Sequence, residues 1–227
     1  AVKERYIQRC DDWDSSPYSV LLLLTKVGHN AGPSKLKGAK LLENLSAEAA
    51  KGYFGGPHSH VNTIVFGFPR GGDIPTQFHK AVEYLCNKIG EDGNFKSNLT
   101  DEYRHKKDDG LDIVVWREFE DKRPGKLISF GQCASGKSRD KKTGDLDVGE
   151  FCKMWMVAQP LVRPAKMFFV PYFIEKNRWR ETCLRAGIIF DRCRIAYYAK
   201  VTSDKTLKKS CLTWIRHVIK HEVRLEA

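Results

Sequence analysis

The chain has 227 residues, of which 41% are hydrophobic and 11% are aromatic, which supports a buried core. No stretch approaches the roughly 20 apolar residues of a membrane span, and the first residues lack a signal-peptide pattern, so neither a membrane span nor a signal peptide is expected in this sequence. The formal net charge of +11 favours a polyanionic partner, most commonly a nucleic acid. A basic surface that serves only solubility or membrane proximity is the alternative.

Residues 1–60 are predicted to form a mainly helical region and a candidate docking region for a partner. Ser16 and Pro17 resemble a helix start, and the apolar run at 18–27 fits either a buried helix or a strand. Residues 40–51 return to helix-forming types. The remainder, 61–227, is predicted to be an α/β domain.

A strand or extended arm at 61–68 and an amphipathic helix at 77–89 are predicted to open this domain. The helix assignment follows from apolar residues at helical spacing, from Phe78 and Ala81 to Leu85. Glu83 lies at the edge of that apolar face.

A β-hairpin is predicted next. Asp112 opens a short β run at 113–116, a polar turn follows, and the run at 126–134 reads as a second strand that carries Gln132. In a hairpin, the start of one strand lies beside the end of the other, so Asp112 and Gln132 are expected to meet. With a lysine nearby, these are the parts of a hydrolytic magnesium site.

The rest of the chain alternates helical and strand-like segments. We predict helices at 145–157, 177–186 and 207–223 and strands at 167–174 and 187–191, with 192–199 unassigned. This order predicts an α/β fold with a mixed central sheet and flanking helices, because a hairpin excludes a purely parallel sheet.

Seven cysteines are spread along the chain without a CxxC pair and without the Cys/His spacing of a zinc site. Their number is odd, and most lie in apolar runs, where cysteine behaves as a small hydrophobic residue. We therefore predict a reduced cytoplasmic protein without structural disulfides.

The order of Glu83 on a helix, then Asp112, then Gln132 resembles the PD-(D/E)XK nuclease superfamily, in particular its Mrr-type, restriction-endonuclease-like branches. The segments that carry the resemblance are FHKAVEYLCNKIG, DDGLDIVVW and FGQCASGK, within residues 77–142. The resemblance implies a restriction-endonuclease-like core and a DNA endonuclease that depends on Mg²⁺ (or Mn²⁺). It also implies a setting in bacterial defence against foreign DNA.

The sequence departs from the family pattern at one position. Two residues after Gln132, where the pattern has lysine, stands Ala134. Lys137 or Lys141 is the expected replacement, since the ammonium group only has to reach the same point in space. If neither lysine reaches it, the site binds DNA without cutting it.

Each expected site residue has a functional role and an ordinary structural alternative. Asp112, Gln132, the backbone carbonyl of Cys133 and Glu83 are expected to hold the metal ion through oxygen atoms. The alternatives are a strand-opening turn residue for Asp112, a polar group on a half-exposed strand for Gln132, and a solvated helix face for Glu83.

A basic patch is expected to hold the DNA phosphates, with a solvated charged face as the alternative. Its candidate residues are Arg104, Lys106, Lys107, Lys137, Arg139, Lys141 and Lys142. The predicted function is therefore metal-dependent DNA cleavage without a membrane partner, with a sensor or helicase-like subunit as a candidate protein partner. The alternative is a catalytically degenerate nuclease fold that binds DNA or a protein.

Overall fold

The computed structural model describes residues 16–56, 59–91, 95–96, 107–136, 142–202 and 204–222. The helices are α1 (Pro17–Val27), α2 (Gly38–Tyr53), α3 (Phe78–Ile89), α4 (Val148–Trp155), α5 (Lys176–Ala186), α6 (Arg192–Thr202) and α7 (Lys205–His221). The strands are β1 (Val61–Val65), β2 (Ile113–Arg117), β3 (Leu127–Cys133), β4 (Ala165–Phe169) and β5 (Ile188–Phe190).

The described strands form one mixed sheet in the order β1-β2-β3-β4-β5. β1, β2 and β3 pair antiparallel, whereas β4 and β5 join parallel to their neighbours. The parallel pairing of β3 and β4 requires a crossover, which α4 supplies. The prediction of an α/β fold with a mixed central sheet is confirmed.

Helices cover both faces of the sheet, and the pleat of β2 shows why. Ile113 and Val115 point to a core shared with α1, α2, α6 and α7. Val114 and Trp116 point the opposite way, into a core shared with α3 and α4. Because side chains alternate along a strand, a strand buried on both faces reads as the continuous apolar run IVVW.

The two N-terminal helices belong to the main core. Leu21 on α1 and Leu41 on α2 are fully buried in the same cluster as Met167 and Phe169 of β4. The described part of the predicted docking region, 1–60, therefore supplies helices that cover one face of the sheet. These helices pack against strands that come after residue 60, so one hydrophobic core spans that position.

Most predicted elements appear close to their expected positions, and four differ. The strand expected at 167–174 is β4, which already ends at Phe169. The ambiguous run at 18–27 is helical, and the strand expected at 61–68 ends at Val65. The unassigned segment after residue 191 is α6, whose residues Ile195 and Ala199 pack into the main core. None of the described helices combines the length and apolar character that a bilayer crossing requires.

Candidate functional site

An open cleft of about 650 Å³ lies at the end of the sheet where β2 begins and β3 finishes. Its lining includes Asp112, Gln132 and Cys133 from the hairpin, together with Glu43 of α2. Further charged residues line it: Asp108, Asp109, Asp145 and Lys142. This acidic cleft contrasts with the net positive charge of the whole chain.

The hairpin places Asp112 beside the end of β3, as the sequence predicted. The antiparallel register sets Ile113 opposite Gly131, and the Asp112 backbone N–H donates to the Gly131 carbonyl at 2.9 Å. The backbone N–H of Cys133 then donates to Asp112 Oδ2 at 2.7 Å. Asp112 is therefore held at the floor of the cleft by the backbone of the neighbouring strand.

Glu43 is a second carboxylate of the cleft, and it comes from α2. It is 8% exposed, and Lys40 Nζ, one turn earlier, donates to its Oε2 at 2.8 Å. Gly67, just past β1, separates Glu43 from Asp112. A Cβ atom at Gly67 would lie 2.9 Å from Glu43 Oε1 and 2.9 Å from Asp112 Oδ1, so only glycine leaves room for both groups.

Burial shapes the protonation of both carboxyl groups. Removal from water raises the pKa of Asp112 to about 8, and the nearby charges of Glu43 and Asp108 add to that rise. The hydrogen bond from Cys133 and the charge of Lys142 lower this pKa, but burial outweighs them. Burial also raises the pKa of Glu43, opposed by Lys40. Both carboxyl groups are therefore harder to ionise than they would be in water.

Gln132 contributes a buried oxygen atom to the cleft. The residue is 3% exposed, and its Oε1 accepts no hydrogen bond from any part of the chain that the structure describes. A buried acceptor left unpaired costs folding free energy, so such atoms commonly serve a ligand or an ion. Because Gln132 also lines the cleft, this atom is available to a group bound there.

Cys133 and Ala134 complete the end of β3 on opposite sides. The Cys133 thiol packs against the main core, and burial raises its pKa well above the usual value, which argues against a thiolate nucleophile. Ala134 is fully buried in a third cluster with Phe168 and Ile174. The position where the family pattern has lysine is thus enclosed by apolar side chains.

Glu83 does not line this cleft. It is exposed on α3, whose buried face packs against the sheet face opposite to that covered by α2. The expectation that Glu83 joins Asp112 and Gln132 is therefore corrected, because the amphipathic pattern of α3 directs apolar side chains, and not Glu83, toward the sheet. Glu43 is the helix glutamate that reaches the cleft.

Two of the expected basic residues are described, and both are exposed near the cleft. Lys142 lines it, and Lys107 Nζ lies 5.7 Å from the centre of the Phe68 ring, which also lines it. The other candidates lie outside the described residues: Arg104, Lys106, Lys137, Arg139 and Lys141.

One sequence signal pointed to Glu43. It stands within LLENLSAEAA, where apolar and small residues surround it on a helix whose other members are mostly buried. An acidic residue inside a broad apolar face costs desolvation free energy and is a functional candidate for that reason. Helical periodicity alone does not single it out, because it lies in the predicted region 1–60 and not in the predicted α/β domain.

Among the described residues, no group of three or more His, Cys, Asp or Glu side chains has the geometry of a metal site. The oxygen set of the cleft instead mixes carboxylates with an amide. Comparison of the chain with protein-family models, with curated proteins and with solved structures gave no match.

Proposed function

We propose that this cleft is the active site of a metal-dependent endonuclease that hydrolyses phosphodiester bonds in DNA. One observation carries the proposal: the carboxylates of Asp112 and Glu43 line the same cleft as the buried oxygen of Gln132, which has no hydrogen-bond partner among the described residues. The order of a helix glutamate, an aspartate at a strand start and a glutamine at the end of the next strand also agrees with the nuclease resemblance.

The residues present fit Mg²⁺ or Mn²⁺ as the cofactor. Asp112, Glu43, Gln132 Oε1 and the backbone carbonyl of Cys133 would hold the ion, since hard divalent cations prefer oxygen ligands. Gln132 Oε1 lacks a partner among the described residues, and Gly67 keeps the space between the two carboxylates open. The ion, when bound, would neutralise phosphate charge and lower the pKa of water.

The protein side chains around the ion have separate tasks in this proposal. Lys40 holds the Glu43 carboxylate through a 2.8 Å bond and donates to the Gly67 carbonyl at 3.1 Å, which fixes that carboxylate at the cleft. Lys142 supplies a positive charge at the exposed side of the cleft, where a phosphate enters. It is the described lysine best placed to offset charge that develops on the phosphate.

DNA is the proposed substrate because of the charge distribution. The chain carries +11 overall, and the exposed Lys107 and Lys142 stand next to an acidic cleft. A cation in the cleft would make the whole surface attractive to a phosphate backbone. The defence setting and a sensor or helicase-like partner follow only from the resemblance and remain proposals.

A nicking assay tests the function. Supercoiled plasmid should be cut with Mg²⁺ or Mn²⁺, and cutting should stop with a chelator and in Asp112→Asn and Glu43→Gln. Glu83→Gln is the matched control, because that glutamate is exposed on α3 and should leave cutting unchanged. Equal cutting by Asp112→Asn and the wild type would reject the proposal.

A second candidate is DNA binding without cleavage, and Ala134 favours it. That position is fully buried among apolar side chains, so the lysine of the family pattern is missing from β3. In this case DNA should bind with steep salt dependence, no cut should appear with either metal ion, and Asp112→Asn should bind as the wild type does.

A further inference from the structure

A second cavity, of about 230 Å³, lies between the segment after β4 and helix α5. Tyr172, Phe173 and Glu175 line it from the segment after β4, and Arg178 lines it from the first turns of α5. The buried Phe168 of β4 also lines it. The cavity thus combines aromatic rings with one cationic and one anionic side chain.

This cavity adjoins the proposed active site through two shared stretches of chain. Lys142 lines the cleft and the next residue, Thr143, lines the cavity. On β3, Gln132 lines the cleft, and Ala134 packs in the same cluster as Phe168, which lines the cavity. At both places, the residues that line the cleft and those at the cavity are one or two positions apart in the chain, so the two spaces are neighbours.

The chemistry of the lining fits a nucleobase better than a phosphate. Phe173 leaves 45% of its surface exposed, which offers an aromatic face for stacking. Arg178 provides donors and Glu175 provides an acceptor, the pair of functions that a base edge requires. A carboxylate in the lining disfavours a phosphate, because both groups are negatively charged.

The cavity is formed in the absence of a ligand, because side-chain contacts hold α5 in place. The Arg194 guanidinium stacks over the Trp179 ring at 4.4 Å, and Arg194 Nη1 also donates to the Ile189 carbonyl at 2.8 Å. Trp179 packs against the cluster that contains Phe168 and Ile174. These contacts fix the helix that carries Arg178 before any ligand arrives, which lowers the ordering cost of binding.

We propose that this cavity holds one unpaired nucleobase of the DNA strand whose phosphate enters the cleft. Phe173 stacks on the base, Arg178 donates hydrogen bonds to its edge, and Glu175 accepts from an exocyclic amino group. The inference rests on the proposed function, and it adds a preference for a single-stranded or locally unpaired substrate.

Binding of a single-stranded oligodeoxynucleotide that carries 2-aminopurine tests this inference on the full chain in the presence of a chelator. Base stacking should quench the 2-aminopurine fluorescence, and anisotropy should report the Kd. Phe173→Ala and Phe173→Leu should each weaken binding roughly 5- to 100-fold, the loss expected when a base–aromatic stack is removed. Arg178→Ala should weaken it as well.

Matched controls are available on the same molecule. Phe119→Ala removes another exposed ring, in the β2–β3 turn, and Arg185→Ala removes another exposed arginine of α5, which pairs with Glu181. Both should keep the wild-type Kd and the wild-type quench.

Several results would overturn the inference. These are wild-type affinity in Phe173→Leu, no binding of the oligonucleotide by the wild type, or equal affinity for an abasic oligonucleotide. Because the assay excludes metal, it separates the two proposals. A Phe173 effect without plasmid nicking would reject the nuclease and keep the base site, and nicking without a Phe173 effect would do the reverse.

Discussion

At the scale of single residues, the cleft is built around a conflict of charge. Glu43 and Asp112 lie on either side of Gly67, and the charge of Glu43 makes ionisation of Asp112 less favourable. Single fixed donors, the Cys133 N–H and the Lys40 ammonium, hold them in place without removing the conflict. A divalent cation would resolve it, which is why these residues carry the functional proposal.

The pH dependence of stability should reveal the raised pKa of Asp112. Its pKa is about 8 in the folded protein against an ordinary value of 3.8, so the folded state holds a proton that the unfolded chain has lost. Its contribution to the free energy of unfolding is therefore full below pH 3.8 and is lost as the pH rises through about 8. Asp112→Asn should abolish this loss, as measured by urea unfolding across that range.

The exposed Asp145, on the rim of the same cleft, supplies the control for this experiment. Asp145→Asn should follow the wild-type dependence on pH. If the free energy of unfolding depends on pH in the same way for the wild type and for Asp112→Asn, then Asp112 is ionised at neutral pH in the folded protein.

Replacement of Gln132 by an apolar side chain should increase stability and abolish cleavage. Because its Oε1 is buried and unpaired among the described residues, Gln132→Met should raise the free energy of unfolding by about 1–3 kcal/mol. The same variant should lose cleavage while it retains most DNA binding. Thermal unfolding and plasmid nicking measure the two effects.

A destabilised but active Gln132→Met would contradict the assigned role. Gln132→Ala, which also leaves a cavity, should lose cleavage as well, but its stability should fall below that of Gln132→Met.

Gly67→Ala should damage the site and spare the fold. The added methyl group would meet both carboxylates at 2.9 Å, so Glu43 and Asp112 must move apart. Metal-dependent cleavage should fall strongly, whereas the melting temperature should change little, because only side-chain ends have to shift. Gly71→Ala is the control, since a Cβ atom there meets no other atom within 4 Å.

At the scale of elements, the hairpin that carries the site is tied down at its far end by a buried ionic network. Lys126 is 3% exposed, and its Nζ donates to Glu118 Oε2 and to the Ile89 carbonyl, both at 2.7 Å. Glu91 accepts from the backbone N–H groups of Gly125 and Lys126. These bonds join the β2–β3 turn to the end of α3.

Loss of this network should destabilise the protein without changing the chemistry of the cleft. Lys126→Ala should lower the free energy of unfolding by about 1.5–3 kcal/mol, because the half-buried Glu118 would lose a charge-assisted hydrogen bond and keep only the one from Trp116 Nε1. Urea unfolding measures the loss, and cleavage per folded molecule should stay at the wild-type level. The exposed Arg123 provides the control, and Arg123→Ala should leave stability close to that of the wild type.

Helix α2 shows how an element can be predicted correctly and its role missed. Residues 40–51 read as helix, and the structure extends the element to Gly38–Tyr53. Its residue types determine helicity locally, but its place against β1 and β2 depends on packing between layers. The prediction therefore found the helix and overlooked its glutamate.

At the scale of the whole molecule, the charge of +11 is the main argument for DNA. The affinity should fall steeply with salt concentration, since each neutralised phosphate releases counterions. Lys107→Ala and Lys142→Ala should each lower the slope of log Kd against log salt by roughly 1. Lys88→Ala, on α3 away from the cleft, is the control and should keep the wild-type slope.

If both Lys107→Ala and Lys142→Ala keep the wild-type slope of log Kd against log salt, then DNA does not bind next to the cleft. In that case the C-terminal helix α7, with Lys205, Lys208 and Lys209 exposed, is the next surface to test.

The sequence by itself determined most of the secondary structure, the mixed sheet and the meeting of Asp112 with Gln132. These features depend on residues close in the chain, because periodicity, turns and hairpin register are local. Only the tertiary structure decided that Glu43 and not Glu83 faces this pair, and that Ala134 is sealed in a core. Both depend on which sheet face each helix covers, and that choice is made by packing between distant segments.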